Sequence, residues 1–147
     1  MSDRVLCFLT NEPIDVIPLI KFVTDPKCGA ISTFMGVTRD NFEEKQVLSL
    51  QYEAHERMAL KELDELALKV AQEQSSCKVV LVHRLGEVPI SETSLCVMVS
   101  SAHRRHALES VSSLVDAIKS RVPIWKKELY TNGTSTWKEN SECFWTK

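Results

Sequence analysis

The most restrictive stretch of this chain is residues 95–99, Leu-Cys-Val-Met-Val, five apolar side chains in a row. Successive side chains of a strand point to opposite faces, so such a run predicts a strand buried on both sides. The residues that follow narrow the possibilities further. A hydroxyl-rich and basic cluster, residues 100–106, leads directly into Ala107, Leu108, Val111, Leu114, Val115 and Ile118, which recur at helical spacing. An interior strand running straight into an amphipathic helix needs other strands beside it and other helices over its faces. The rest of the chain has to supply them.

Residues 4–10 read as a short strand. Asn11-Glu12-Pro13 then opens a helix carrying Ile14, Ile17, Ile20 and Val23 as its core stripe, with Pro18 pointing to a short or bent element. Residues 29–38 are rich in β-branched and aromatic side chains and read as a strand ending at Arg39-Asp40. Residues 41–45 read as a hairpin loop. Residues 47–54 alternate, with Leu48, Leu50, Tyr52 and Ala54 on one face, as in a half-buried antiparallel strand. From residue 56 to about 71 the period changes to that of a helix, with Ala59, Leu63, Leu66, Ala67 and Val70 as its stripe. A strand over 78–82 ends in His83-Arg84-Leu85-Gly86, and residues 90–93 form a turn. The order is β-α-β-β-α-β-β-α followed by short extended pieces. This is the α+β class, a single domain over residues 1–147 with a mixed, mainly antiparallel sheet and about three helices.

The formal net charge is −2, so the chain has no global field for nonspecific nucleic-acid binding. Anion binding must come from local clustering, and the clustering lies in residues 103–127. Ser100 or Ser101 is placed to cap the helix, and a helix N-terminus flanked by His103 and Arg104 is a seat for phosphate or carboxylate. Cations there oppose the macrodipole by about 0.3–1 kcal/mol each, which an anionic ligand would offset. At the other end, Lys119 flanks the apolar stripe, where its amine would be partly desolvated. Pro123 turns the chain, and residues 124–127 read as extended, sending Lys126 and Lys127 to opposite faces. A lysine near other cations or out of water can act as acid, base or nucleophile. His103 and His106 lack further ligands at metal spacing, so no metal is expected. Arg39 alone reads as a solvated loop arginine.

The five cysteines include no CxxC pair, so reduced thiols in an intracellular compartment are expected, without a disulfide framework. The apolar run 5–9 is too short for a signal-peptide core, and no segment approaches membrane-spanning length, so a cytosolic location is expected.

Several separated motifs together resemble the molybdopterin synthase large-subunit family. They are GAISTFMGVTRDNF, LQYEAH, VHRLGEVP, VSSAHRR and KSRVPIWKKE, in the family's order, and STWKENSECFW resembles its eukaryotic branch. The resemblance implies an α/β-hammerhead-like fold and a sulfurtransferase of molybdenum cofactor biosynthesis. It converts cyclic pyranopterin monophosphate to molybdopterin by inserting the two dithiolene sulfurs. Sulfur arrives as a thiocarboxylate on the Gly-Gly C-terminus of a small ubiquitin-like subunit, so no cofactor or metal is implied. The implied assembly is a heterotetramer with a homodimer of large subunits at its centre.

Carried onto this chain, the pterin and phosphate pocket falls on Arg39, His103, Arg104, Lys119, Lys126, Lys127 and Glu128. Lys119 and Lys126 match the essential lysines of the family. In this reading Arg39, His103 and Arg104 hold phosphate, Lys119 orients the thiocarboxylate, and Lys126 exchanges a proton as the cyclic phosphate opens. Where bacterial relatives carry a cross-protomer arginine, this chain reads Ser135-Thr136-Trp137-Lys138; Lys138 is the one candidate replacement, and it offers a point charge instead of a bidentate fork, so the substitution stays open. The Cys143-Phe144-Trp145 tail is a candidate contact for the small subunit. Two alternatives compete: a non-catalytic adaptor for a ubiquitin-like protein, against which the intact Lys119 and Lys126 argue, and an RNA binder. Net charge opposes the latter, as does Trp125, the one aromatic residue among the basic ones.

Overall fold

The computed structural model describes residues 3–73 and 75–138, and the Cys143-Phe144-Trp145 tail lies outside them. Residues 95–99 fall inside β7 (Thr93–Ser101), which is buried almost throughout. Its strand period divides its side chains between two cores. Leu95, Val97 and Val99 meet α2 (Glu56–Ala71) and α3 (Arg104–Arg121) on one face, while Cys96 and Met98 meet α1 (Val16–Val23) on the other. β5 (Ser76–Arg84) divides the same way, with Val79 and Leu81 on the first face and Val80 and Val82 on the second.

β1 (Val5–Thr10) lies parallel to β5, and β2 (Ala30–Val37) lies antiparallel to β7, giving the order β1-β5-β7-β2. A second sheet is built from β3 (Asn41–Phe42), β4 (Lys45–Ala54), β8 (Ile124–Tyr130) and β9 (Ser135–Lys138), with β6 (Gly86–Pro89) also paired to β4. Among the described residues these nine strands and three helices make the α+β, mainly antiparallel architecture expected. The chain crosses between sheets at the β5–β6 junction, where Gly86 takes the left-handed φ of +81° that a side chain would resist.

Four expectations change. Residues 41–45 do not join a hairpin between β2 and β4. These strands sit in different sheets, and Glu43 and Glu44, at φ 47° and 67°, instead turn the short β3–β4 hairpin. Helix α1 starts after Asp15, whose carboxylate accepts from the Ile17 N–H at 3.1 Å, so Pro18 falls in the first turn, where no intrahelical donor is lost. Its buried residues are Leu19 and Val23, whereas Ile17 and Ile20 are 57% and 41% exposed. In β4 a register shift between Val47 and Ser49 buries both of those residues and leaves Leu48 outside. Finally, Cys28 is disulfide-bonded, so the thiols are not all reduced, although Cys7 and Cys96 are. No helix of the described residues is long and apolar enough to cross a membrane.

Candidate active site

A cavity of about 650 Å³ opens at the seam between the two sheets, closed at one end by the last turn of α3. Strand period explains its second wall. β4 and β8 pair so that Leu50 faces Glu128 and Tyr52 faces Lys126. Residues two apart share a face, so Ile124, Lys126 and Glu128 all look into the cavity alongside Leu50 and Tyr52. The same alternation sends Lys127 outward. There its ammonium lies 5.4 Å from the centre of the Trp137 ring, its neighbour across the β8–β9 pair.

The first wall comes from the four-stranded sheet: Phe34 and Gly36 of β2, Ser94 and Leu95 of β7, and His83 at the end of β5. Arg39 reaches the rim from the β2–β3 link. Its neighbour Thr38 is clamped: the Thr38 N–H donates to the Glu92 carbonyl at 3.2 Å, its carbonyl accepts from Ser91 N–H at 2.9 Å, and its hydroxyl donates to the Val88 carbonyl at 3.2 Å. The turn that makes these bonds is in turn tied down by Arg84 Nη1 donating to Glu92 Oε1 at 2.7 Å. A buried guanidinium on β5 thus fixes the backbone from which Arg39 extends.

Lys119 stands on the rim in the last turn of α3, where a cation also complements the negative end of the helix. It is exposed, so the desolvation that its place beside the stripe implies is absent in the isolated chain. Arg39, Lys119 and Lys126 therefore bring three cations to a cavity in which, among the described residues, Glu128 is the single lining carboxylate. Glu128 is buried and accepts a hydrogen bond from the Tyr130 hydroxyl at 2.8 Å, which holds that phenol's pKa above its ordinary value. Burial raises the Tyr52 phenol, and burial pulls His83 down to about 4, so His83 is neutral at pH 7.

The structure thus brings Arg39, Lys119, Lys126 and Glu128 together and leaves Lys127, His103 and Arg104 apart. The 18 residues of α3 separate its ends by about 27 Å, so His103 and Arg104 cannot reach the cavity of their own chain. At that far end His103 itself is the N-cap, without a side-chain cap bond. Neither serine caps the helix, because both belong to β7: Ser100 Oγ accepts from the Lys78 N–H at 3.0 Å and Ser101 Oγ is buried without a partner. His106 is occupied locally, with Nε2 2.8 Å from Ser76 Oγ and 3.3 Å from Glu73. Among the described residues no group of three His, Cys, Asp or Glu side chains is arranged to hold a metal. Tyr52, His83 and Ser94 were not legible as site residues. Their only signal was a polar side chain on a strand face otherwise apolar.

The MoaE protein family model matches residues 9–121. The chain belongs to the MoaE family. Its relatives include the molybdopterin synthase catalytic subunits of Bos taurus and Homo sapiens, each 48% identical over 136 residues, covering 92% of this chain and 72% of the relative. The Drosophila melanogaster relative is 49% identical, but this chain spans only 37% of it. Among solved structures, molybdopterin synthase from Staphylococcus aureus superposes with a TM-score of 0.84 at 29% identity, covering 94% of this chain and 98% of that one. A complex of subunits 1 and 2 of molybdopterin-converting factor from Helicobacter pylori shares the fold, with a TM-score of 0.76 at 20% identity over 93% and 92% of the two chains. Membership of the MoaE family makes this chain an enzyme subunit of molybdenum cofactor biosynthesis.

Proposed function

We propose that the chain is the sulfurtransferase subunit that converts cyclic pyranopterin monophosphate to molybdopterin. Its two sulfurs come from the thiocarboxylated C-terminus of a small ubiquitin-like subunit. The observation that carries this reading is the convergence of Arg39, Lys119 and Lys126, from three separate elements, on one recess of a chain whose net charge is negative. Both reactants are anionic, and both need a pocket of clustered cations. The Helicobacter pylori structure of two subunits in complex supports a small-subunit partner.

In this reading Arg39 and Lys126 bind the phosphate side of the pterin, with Lys126 exchanging the proton as the cyclic phosphate opens. Lys119, at the open rim, meets the incoming thiocarboxylate and stabilises charge as sulfur attacks. Docking of the partner's tail would supply the desolvation that Lys119 lacks alone. Glu128, tied to Tyr130, is the carboxylate beside Lys126 that keeps the lysine side oriented. His103 and Arg104 join such a site only from a second copy of the chain, which is the arrangement a central homodimer within a heterotetramer provides. The backbone of Lys138 pairs with that of Lys126, beside the same wall. Sulfur delivery by the partner's carboxyl terminus requires no cofactor of this chain, and the cytosol is where the reading places the reaction.

The test combines this chain with thiocarboxylated small subunit and cyclic pyranopterin monophosphate and follows dithiolene formation. Lys119→Ala is expected to lower turnover by at least about 100-fold, as loss of a group acting on the transition state does, while partner binding stays intact. Turnover near that of the unaltered protein removes the assignment.

A further inference from the structure

Beyond its cations, the cavity holds a feature that phosphate and thiocarboxylate do not use. Phe34, Phe42, Tyr52, Trp125 and His83 line it together, so five aromatic rings border one recess. His83 is 6% exposed, and its ring is held from two directions. Its Nδ1 lies 2.7 Å from the Arg84 carbonyl, and a carbonyl only accepts, so Nδ1 carries the proton. The Tyr52 ring meets the imidazole edge-on, with centroids 4.9 Å apart and planes at 68°. Tyr52 is itself anchored, its hydroxyl 3.4 Å from Ser94 Oγ, which donates to the Gly36 carbonyl at 3.2 Å.

With Nδ1 protonated and the ring neutral, Nε2 is left as a bare acceptor. Among the described residues no donor meets it. The imidazole lines the cavity while its Nδ1 is taken by the Arg84 carbonyl, so Nε2 is the ring nitrogen left for a ligand there. A fixed acceptor beside aromatic faces suits a flat ring carrying an N–H. It does not suit the side-chain-free Gly-Gly tail, which has no ring to place against Phe34 and Tyr52.

We infer that His83 is a specificity-determining residue whose Nε2 accepts a hydrogen bond from a ring N–H of the heterocyclic substrate. This rests on the pterin reading above. Burial keeps the imidazole neutral at pH 7, so the acceptor is present throughout the working range. A ring presenting a carbonyl or an aprotic nitrogen at that point would set lone pair against lone pair, and the site discriminates against it.

Two variants separate recognition from structure. In His83→Asn the amide reaches the place of Nδ1 and keeps the bond to the Arg84 carbonyl, but nothing occupies the place of Nε2. In His83→Gln the amide oxygen reaches the place of Nε2. In the complex with thiocarboxylated small subunit, His83→Asn is expected to raise KM for the pterin about tenfold or more. Its kcat should stay within about threefold, KM for the small subunit should not move, and His83→Gln should recover most of the loss. An unchanged pterin KM in His83→Asn overturns the inference. So does equal damage from both variants, or a shift in the small subunit's KM in place of the pterin's. The unaltered protein, assayed with pterins methylated one ring nitrogen at a time, gives an answer that needs no variant: one methyl is expected to raise KM about tenfold or more, and indifference to all of them overturns the inference. Dithiolene formation by the unaltered protein distinguishes the two levels. Its absence removes the pterin reading and this inference with it, whereas normal turnover with an indifferent His83 removes only the inference.

Discussion

The two sheets are made of similar strands and do different things. In the first, β5 and β7 are covered on both faces, and their polar side chains sit mostly at the strand ends. In the second, Val47, Leu50 and Tyr130 form a small cluster of their own, one strand is bulged, and charged residues share the inward face. The contrast shows a division of labour. The first sheet supplies stability, and the second is free to aim Lys126 and Glu128 at a cavity because little of the folding free energy depends on it.

The sharpest way to break that division is to cut into the first sheet. Leu81 is fully buried between α2 and the strands. Leu81→Ala is expected to lower stability by about 2–5 kcal/mol in a denaturant titration, with turnover per folded molecule unchanged. Loss of turnover without loss of stability would erase the distinction between the sheets.

A second test uses His83, where the sheets meet. Its folded pKa of about 4 lies below the ordinary 6.5. Between those values the unfolded chain binds a proton that the folded one refuses, so stability rises with pH across this window. As pH falls from about 6.5 to about 4 the protein loses about 3 kcal/mol from this group, and below that the loss is constant. Carboxylates also titrate in this range, and Tyr52 and Glu128 line the same cavity, so the measurement is the difference between the unaltered protein and His83→Gln. That difference should flatten the profile, and parallel profiles would contradict it.

Smaller again is the clamp on Thr38. Glu92→Gln keeps a hydrogen bond to Arg84 but removes the charge facing a buried guanidinium. A loss of about 1–2 kcal/mol is expected, discounted because Glu92 is partly exposed. KM for the pterin should rise, since Arg39 extends from the same backbone. The smallest effect belongs to the Glu43-Glu44 turn. Asn-Gly suits two left-handed residues better, and the double replacement should stabilise the protein by up to about 1 kcal/mol without altering turnover.

Legibility in the sequence followed the same division. The α2 boundaries and the two-sided burial of β7 could be read directly, because their patterns are long and no other packing competes. The phase of α1 could not. An eight-residue helix offers two apolar faces, and the sheet beneath it chose Leu19 and Val23 over Ile17 and Ile20. The partner of β2 was also hidden, since hairpin reasoning looks to the next strand while β2 pairs with β7, some sixty residues on. Within the site, period-two alternation in residues 124–128 already separated Lys126 from Lys127. The distance from Lys119 back to His103 was equally available from helix rise, but motif order alone placed both in one pocket. His83 is silent in the sequence because a strand-end histidine gains its meaning only from the Tyr52 ring across the seam.

The order β1-β5-β7-β2 also has a consequence for the chain's synthesis. The strand that joins β2 to β5 is the seventh of the nine described strands to be made. Until residues 93–101 emerge from the ribosome, β2 has no partner in this sheet, and β5 shows an open edge where β7 belongs. Exposed strand edges recruit other chains, and long-range pairings close slowly. This protein therefore passes through its most aggregation-prone moment late in translation, and chaperones would be needed most just before β7 appears.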